Sequence, residues 1–343
     1  MNSTIRATEV VLPGKVEPNE LQIRARDLDA PAKGQAVLRM EATGVSFAEQ
    51  QMRRGKYYDQ PAFPFVPGYD VVGTVSAVGE GVDAAMVGRR YAAVTKVGGW
   101  ASALLIDAAD LVPVPDGVSP AAAVTVAVNG ITAWQMLHRI AAVAPGSTIV
   151  VLGANGGVGS TLVQLAGHAG IKVIGTASPR HHDLLRELGA TPVDYRDPDM
   201  YRKIHELAPD GVDAVFDHVG GAGLEESWRL VRRGGTLVSY GTAATKDEDG
   251  NSQLPVLKSF ARLAAWNHLP NGRSAHFYNF WAGKRCPSSF RARLSEDLTQ
   301  VLRLVADGVL TPKIAAEFPL ADAGAALALA ESRTVAGKVV IVP

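Results

Sequence analysis

A glycine-rich turn between an apolar run and an amphipathic segment is the feature that most constrains this chain. The run Ser147 to Leu152 is followed by Gly153-Ala154-Asn155-Gly156-Gly157-Val158-Gly159, and Ser160 to Ala169 has the apolar spacing of a helix. A strand, a glycine turn and a helix N-terminus in this order point backbone N–H groups and the helix dipole at an anion. The spacing departs from a strict G-x-G-x-x-G, but the context is the one that a dinucleotide fingerprint requires. The sequence therefore predicts a dinucleotide site on Asn155 to Gly159.

The end of the next predicted strand, Ile171 to Gly175, indicates which dinucleotide would bind. Sites that prefer NAD carry an Asp or Glu about 20 residues past the glycines, which bonds the ribose 2′-hydroxyl. Here the segment reads Thr176-Ala177-Ser178-Pro179-Arg180, with no acid before Asp183. Because Ser178 can donate a hydrogen bond to a 2′-phosphate and Arg180 can pair with it, the sequence favours NADPH. The alternative is that Arg180 lies on the solvent side of the next helix, as exposed arginines commonly do.

Length and charge balance limit which classes of protein this chain can belong to. The 343 residues suffice for two domains with substantial cores, and a composition that is 47% hydrophobic and 20% charged is that of an ordinary soluble protein. Lys+Arg and Asp+Glu both number 34, so no overall field attracts nucleic acid. The N-terminus lacks the apolar core of a signal peptide, and no apolar run approaches the ~20 residues of a membrane span, so we expect a cytoplasmic protein. The single cysteine, Cys286, allows no internal disulfide.

The pattern of predicted elements divides the chain into three regions. Short β-like runs separated by Gly and Pro fill the first region, whereas strands and helical stretches alternate from Asn129 to about Leu269. Such alternation predicts parallel strands covered on both faces. The last region has a helix at about Phe290 to Asp307 and ends in an apolar strand, Gly337 to Pro343. We therefore expect an α/β protein in which residues 129–269 form a Rossmann-type domain and residues 1–128 and 270–343 fold together.

Ordered motifs along nearly the whole chain resemble the medium-chain dehydrogenase/reductase superfamily. They are Glu41 to Phe47, Pro67 to Val75, Val78-Gly79, the glycine turn, Gly175 to Ser178, Asp217 to Gly221, and Gly241. Within the superfamily the chain is similar to the zinc-independent quinone oxidoreductases, and more closely to the branch of the vesicle amine transport protein homologues. The resemblance implies a doubly wound parallel sheet inserted in a β-rich, partly barrel-like (GroES-like) catalytic domain, with the substrate cleft between them. It also implies a homodimer formed through edge strands of the nucleotide domains.

The chain departs from the alcohol dehydrogenases of that superfamily at the metal positions. Their catalytic zinc uses a Cys where this sequence has Ser46 and a Gly-His-Glu where it has Gly68-Tyr69-Asp70, and their structural zinc needs four clustered cysteines. The eight histidines show no metal-binding spacing either. Without a Lewis acid, oxidation of simple alcohols loses its main activator, but a hydride can still pass from NADPH to an electron-poor acceptor. We therefore expect no metal, and reduction of quinones or of activated alkenes such as enones.

The resemblance adds residues to the predicted NADPH site. His181 stands where related reductases often carry a Lys for the 2′-phosphate, so Arg180 or a protonated His181 would substitute for it. Tyr195 matches a tyrosine that approaches the same phosphate, or it is a packed aromatic after the third strand. Arg333 stands where the bacterial quinone oxidoreductases have an arginine that pairs with phosphate.

Three further residues are assigned to the cofactor site. Thr132 resembles a threonine that faces the nicotinamide and would open the helix leading into the nucleotide domain, or it is an ordinary helix N-cap. Val219 lies in the motif Asp217 to Gly221. Gly241 follows a strand, where a bare backbone would let the nicotinamide ribose lie close.

Ser46 and Tyr57 are the candidate catalytic residues. Ser46 replaces an Asn of the bacterial quinone oxidoreductases, and Tyr57 matches a tyrosine of their cleft. Either hydroxyl can donate a hydrogen bond to a substrate carbonyl as negative charge builds on it, and solvent can equally supply the proton. Two other functions stay open: an enoyl-thioester reductase of a biosynthetic pathway, and a nucleotide-binding scaffold with little turnover.

Overall fold

The computed structural model describes residues 5–241, 253–332 and 334–343, and the chain divides into two compact units. Met1–Ile131 and Gly283–Pro343 make up the first unit, and Thr132–Ala282 the second. The segment 270–282, which we expected in the flanking domain, belongs to the second unit because its strand, Ser274–Phe277, pairs with the parallel sheet there.

The strands and helices are numbered along the chain. The strands are β1 (Ile5–Val11), β2 (Gln22–Leu28), β3 (Gln35–Val45), β4 (Asp70–Val78), β5 (Arg90–Val94), β6 (Ala103–Asp107), β7 (Val112–Pro113), β8 (Thr148–Val151), β9 (Lys172–Ala177), β10 (Ala190–Asp194), β11 (Val212–Asp217), β12 (Val231–Ser239), β13 (Ser274–Phe277), β14 (Ile314–Pro319) and β15 (Lys338–Val342). The α-helices are α1 (Phe47–Arg53), α2 (Pro120–Trp134), α3 (Gly157–His168), α4 (His182–Glu187), α5 (Met200–Leu207), α6 (Leu224–Leu230), α7 (Gln253–Trp266), α8 (Pro287–Ala306) and α9 (Ala323–Ser332).

A mostly antiparallel sheet forms the centre of the first unit. Its seven strands follow the order β14-β15-β3-β4-β5-β7, with β6 pairing β3, while β1 and β2 form a separate hairpin. The last strand, β15, pairs antiparallel with β3, with Val340 opposite Gly44. The two ends of the chain therefore fold together, because β15 completes the sheet that β3 begins. The fully buried Trp100 closes the core and donates from its indole nitrogen to the carbonyl of Gly44 at 3.0 Å.

The second unit is a parallel sheet with strand order β10-β9-β8-β11-β12-β13. Its strands are apolar on both faces, as expected when helices cover both sides. Val150 belongs to a core with Trp228 of α6 and Leu263 of α7, whereas its buried neighbours Ile149 and Val151 alternate to the opposite face. The doubly wound α/β class predicted from the sequence is confirmed.

The strand order reverses between β8 and β11. The chain proceeds from β8 through β9 to β10 on one side, then returns to continue through β11, β12 and β13 on the other. In sheets of this kind the carboxyl ends of the strands at the reversal open a crevice in which ligands bind. The glycine turn follows β8 and therefore lies at this position.

The position of Thr132 corrects a prediction. We expected it at the start of a helix or as its N-cap, but α2 begins at Pro120, and Thr132 lies near its C-terminal end. Gly130 lies inside α2 because a Cβ there would stand 2.5 Å from Cγ1 of Val301 in α8, so the glycine permits close packing of two helices.

Among the helices that the structure describes, none combines the length and apolar character needed to cross a membrane.

Candidate functional site

The glycine turn forms an open backbone cradle at the carboxyl end of β8. Helix α3 begins at Gly157, with Gly156 as its N-cap. Residues Gly156 to Val158 are partly exposed, although the strand before them and most of the helix after them are buried. A Cβ on Gly159 would overlap the carbonyl oxygen of Gly153, so this glycine lets the first turn of α3 lie against the loop. The N–H groups of the helix start therefore face an accessible space, as an anion site requires.

A second turn, after β11, lies against the glycine turn. Gly153 has a φ of +65° and a Cβ on it would overlap the ring of His218. The buried carboxylate of Asp217 holds the His218 turn by accepting from the N–H of Val219 at 2.7 Å and of Gly220 at 2.9 Å. A Cβ on Gly241 would stand 2.5 Å from the carbonyl oxygen of His218. The missing side chain at Gly241 therefore allows the protein's own backbone at His218 to lie close.

The ends of β9 and β10 carry the residues predicted to select the cofactor. Ser178 is buried after β9, and Arg180 is exposed. Arg180 donates from Nε to Nε2 of His181 at 3.2 Å. Burial, and to a smaller degree the charge of Arg180, lower the pKa of His181. This direction disfavours the protonated His181 considered from the sequence, so Arg180 is the cation at this position.

Tyr195 is not a packed core aromatic. It is 53% exposed, and its N–H donates to the carbonyl of Ala177 at 3.3 Å, which places it beside the end of β9. The guanidinium carbon of Arg196 lies 5.5 Å from the centroid of the Tyr195 ring. This stacked and exposed arginine was missed in the sequence, although a basic residue directly after a predicted strand end was a visible signal.

The predicted cofactor residues divide by their location. Those at the carboxyl edge of the parallel sheet are Asn155, Gly156, Gly157, Val158, Gly159, Ser178, Arg180, His181, Tyr195, Val219 and Gly241. Arg333 lies outside the described residues. Thr132, in α2, lies before β8 in the chain and follows no strand of this sheet.

Ser46 has a structural role as the N-cap of α1. Its Oγ accepts from the N–H of Ala48 at 3.2 Å and donates to the carboxylate of Glu49, which in turn accepts from the N–H of Ser46 at 2.9 Å. This reciprocal arrangement is a capping box, and the sequence Ser-x-x-Glu already contains its signature. The hydroxyl that we considered as a donor to substrate is therefore committed to the helix and to Glu49.

Two carboxylates and one ammonium are buried together where β3, β4 and β15 meet α1. Glu49 accepts from the N–H of Tyr69 at 2.7 Å, and Asp70 accepts from the N–H of Gly44 at 3.2 Å. The ammonium of Lys338 donates to the carboxylate of Asp70. Burial raises the pKa of Glu49, although the hydrogen bond from Ser46 opposes the rise. We call these side chains, Glu49, Asp70 and Lys338, the charge cluster.

Gly44 makes room for the charge cluster. A Cβ at this position would overlap Cε of Lys338 and would stand 3.1 Å from Oδ1 of Asp70. The lysine side chain therefore crosses β3 where that strand has no side chain of its own. The ammonium also donates to the carbonyl of Val124 in α2 at 3.3 Å. The Lys338 side chain of β15 therefore contacts both β4 and α2.

Three tyrosines of the first unit, Tyr57, Tyr58 and Tyr69, form a second group beside this cluster. The hydroxyls of Tyr57 and Tyr69 are 2.8 Å apart, and the two rings meet edge to face with centroids separated by 6.3 Å. The ring of Tyr58 lies 4.6 Å from that of Tyr57. Tyr57 is therefore held next to Tyr69, which stands at the position where zinc dehydrogenases carry histidine.

The donor set at the former metal positions does not fit zinc. Zinc sites use thiolate, imidazole and carboxylate ligands, whereas this chain offers the Ser46 hydroxyl, the Tyr69 phenol and an Asp70 carboxylate already paired with Lys338. Within residues 5–241, 253–332 and 334–343, no group of three or more His, Cys, Asp or Glu side chains is arranged to hold a metal ion.

Comparison with known proteins gives consistent relatives for both units. A family model described as alcohol dehydrogenase GroES-like domain matches residues 32–116, and one described as zinc-binding dehydrogenase matches residues 188–341. The human synaptic vesicle membrane protein VAT-1 homolog is 29% identical over 340 residues, which cover 96% of this chain and 84% of the human protein.

Solved structures extend this similarity to the fold. Escherichia coli quinone oxidoreductase complexed with NADPH is 25% identical, with a TM-score of 0.84, and the match covers 98% of this chain and 100% of that one. A mycobacterial protein complexed with NADPH is 28% identical, with a TM-score of 0.83 and the same coverage of 98% and 100%. With its sequence motifs and both units matched, the chain belongs to the medium-chain dehydrogenase/reductase superfamily, in the branch of the quinone oxidoreductases and the VAT-1 homologues.

Proposed function

We propose that this protein is an NADPH-dependent reductase that transfers hydride to quinones or to activated alkenes such as enones, without zinc. The observation that carries the proposal is the carboxyl edge of the parallel sheet, where an open glycine cradle lies beside an exposed, cationic strand end. Two of the related structures contain NADPH, which supports the same ligand here.

The residues present fit the parts of NADPH. The N–H groups at the start of α3 suit the pyrophosphate, because they carry the positive end of the helix dipole and Gly156 leaves access to them. Ser178, Arg180 and the Arg196 stacked on Tyr195 suit the 2′-phosphate, since they offer two guanidinium groups and a hydroxyl, and no carboxylate stands between the end of β9 and Asp183. When bound, NADPH supplies the hydride.

The charge cluster supports a reaction without zinc. Lys338 neutralises Asp70 inside the protein, so the carboxylate nearest the former metal positions is already paired. Without zinc, an acceptor must be activated by its own conjugation and by hydrogen bonds to the oxygen that gains negative charge. The phenols of Tyr57 and Tyr69 are suitable donors because they are buried and held in place by the contact between their hydroxyls.

Replacing Arg180 with alanine is expected to weaken NADPH binding and to leave NADH binding nearly unchanged. A hydrogen bond to a charged group contributes roughly 1.5–3 kcal/mol, which corresponds to about ten- to over a hundredfold in Kd. Calorimetric titration of each cofactor measures the effect. Arg186→Ala is the matched control, because this arginine pairs with Asp183 on the exposed side of α4. Equal losses for both cofactors would show that Arg180 supports the fold or the pyrophosphate instead.

Steady-state oxidation of NADPH with three acceptor classes tests the function. We expect turnover with quinones or enones that is faster with NADPH than with NADH and is unchanged by a metal chelator. Turnover confined to enoyl thioesters would indicate a biosynthetic enoyl reductase. Tight NADPH binding with no turnover of any acceptor would contradict an enzymatic role and favour a scaffold protein.

A further inference from the structure

Asp217 is a fully buried carboxylate at the end of β11. Its Oδ1 accepts from the N–H groups of Val219 and Gly220 at 2.7 and 2.9 Å, and its Oδ2 accepts from the hydroxyl of Ser227 at 2.7 Å. All three contacts are donors to the carboxyl group, as the ionised form requires. Within the part of the chain that the structure describes, no lysine, arginine or histidine pairs with it. Burying a charge in this way is costly.

An asparagine would serve the fold at this position equally well. The two N–H groups donate to the same oxygen, Oδ1, which an amide also has, and an amide nitrogen in place of Oδ2 can donate to the hydroxyl of Ser227. The three hydrogen bonds therefore require the shape of the side chain and not its charge. At Asp70, by contrast, the fold supplies a buried cation, Lys338. The charge of Asp217 is therefore left without a structural reason.

Asp217 lies where the nicotinamide half of a dinucleotide is expected. The glycine cradle follows β8, and the residues suited to the 2′-phosphate follow β9 and β10, on one side of the strand reversal. In such sheets a dinucleotide extends across the reversal, with one half on each side. Its other half therefore faces the ends of β11 and β12. These two ends are joined, because the carbonyl of Asp217 accepts at 2.9 Å from the N–H of Tyr240, the residue after β12.

The charge of Asp217 acts on groups at this edge of the sheet. Val215, two residues earlier on the same face of β11, belongs to the apolar core with Val150 and Trp228. Electrostatic interactions are stronger in such surroundings than in water. Burial, and after it the charge of Asp217, raise the pKa of Tyr240. The carboxylate thus disfavours a further negative charge at the end of β12 and favours a positive one.

We propose that the carboxylate of Asp217 stabilises the positive charge of the oxidised nicotinamide and so favours release of hydride from the cofactor. This inference rests on the proposed function. When the C–H bond of the reduced ring breaks, its electron pair leaves with the hydrogen for the acceptor carbon, and the remaining ring is a cation. NADP⁺ therefore carries one more positive charge than NADPH, and only this charge is attracted to Asp217.

Asp217→Asn removes the charge and keeps the hydrogen bonds. The Kd of NADP⁺ is expected to rise about tenfold, whereas the Kd of NADPH stays near the wild-type value, and calorimetric titration of each form measures both. The changed ratio of the two constants corresponds to a rise of about 30 mV in the reduction potential of the bound cofactor. The melting temperature should be at or above that of the wild type, because an unpaired buried charge is removed and no hydrogen bond is lost.

Two further variants separate the charge of the side chain from its position. Asp213→Asn changes the charge near the opposite end of β11, where Asp213 accepts from the N–H of Thr148 at 2.8 Å, and should leave both constants unchanged. Ser227→Ala keeps the charge of Asp217 and removes one hydrogen bond to it. This variant should have a lower melting temperature and a wild-type ratio of the two constants.

An unchanged ratio in Asp217→Asn, with both forms of the cofactor still bound, would overturn this inference and leave the proposed function intact. If Asp217→Asn does not fold, Asp217→Ser is measured in its place, because a serine hydroxyl can also accept from the N–H of Val219. Failure of both variants to fold would show that the fold itself requires the charge, and the inference would again be wrong. A wild type that binds neither NADPH nor NADP⁺ would contradict the proposed function itself.

Discussion

Replacing Lys338 with methionine is expected to lower the free energy of unfolding by about 3–5 kcal/mol, the usual cost of removing one partner from a buried ion pair. Lys338 is 3% exposed, and its ammonium donates to Asp70, which is fully buried. Without the lysine, Asp70 and the neighbouring Glu49 would share a low-dielectric site with no cation. Chemical denaturation measures the loss directly.

Two comparisons separate this effect from a general loss of lysine. Lys33 pairs with Glu80 at 3.2 Å on the surface, where both side chains are more than three-quarters exposed, so Lys33→Met should change stability by less than about 0.5 kcal/mol. Adding Asp70→Asn to Lys338→Met should recover part of the loss, because it removes the unpaired charge. A Lys338→Met protein as stable as the wild type would show that Asp70 does not need its cation.

Gly159→Ala is expected to abolish tight dinucleotide binding and to destabilise the second unit by roughly 2 kcal/mol or more, because overpacking displaces backbone. The added Cβ would overlap the carbonyl oxygen of Gly153, a main-chain atom that cannot turn away as a side chain does. Helix α3 would have to move from the loop, and its N–H groups would leave the cradle. A loss of at least a hundredfold in NADPH affinity is the expected result.

The same substitution elsewhere in the helix is the control. Gly167 also lies in α3, but a Cβ there has no atom within 4 Å. Gly167→Ala should therefore keep NADPH affinity and stabilise the protein by about 0.5–1 kcal/mol, the usual gain from replacing a helical glycine. Equal effects of the two variants would mean that helix propensity, and not contact with Gly153, decides the role of Gly159.

The nucleotide unit was predictable because its signals are local. A strand with an apolar run such as Thr148–Val151, a glycine turn and a helix follow each other within one segment, and parallel strands repeat this alternation. The misreading of Thr132 shows the limit of local signals. A glycine inside α2, Gly130, is explained by its close approach to Val301, far along the chain, and no local pattern indicates that contact.

The charge cluster was not predictable, because it depends on contacts between residues that are far apart in sequence. Lys338 begins a strand that reads as apolar, and its partner Asp70 lies 268 positions away in sequence. Which carboxylate a lysine meets depends on the pairing of β15 with β3, and neither residue has a pattern of its own that indicates this pairing. Glu49 was visible as part of a capping box with Ser46, but its contact with the backbone of Tyr69 depends on the same tertiary arrangement.

The most direct test of the central claim is the transfer of deuterium from labelled cofactor to product. NADPH that carries deuterium at the reactive carbon of its nicotinamide is incubated with the protein and an enone, and the product is examined by mass spectrometry and NMR. The proposed reaction places one deuterium on the β-carbon of the product, from one face of the nicotinamide only, with or without a metal chelator. A β-carbon hydrogen that derives from solvent, or no reduced product at all, would contradict it.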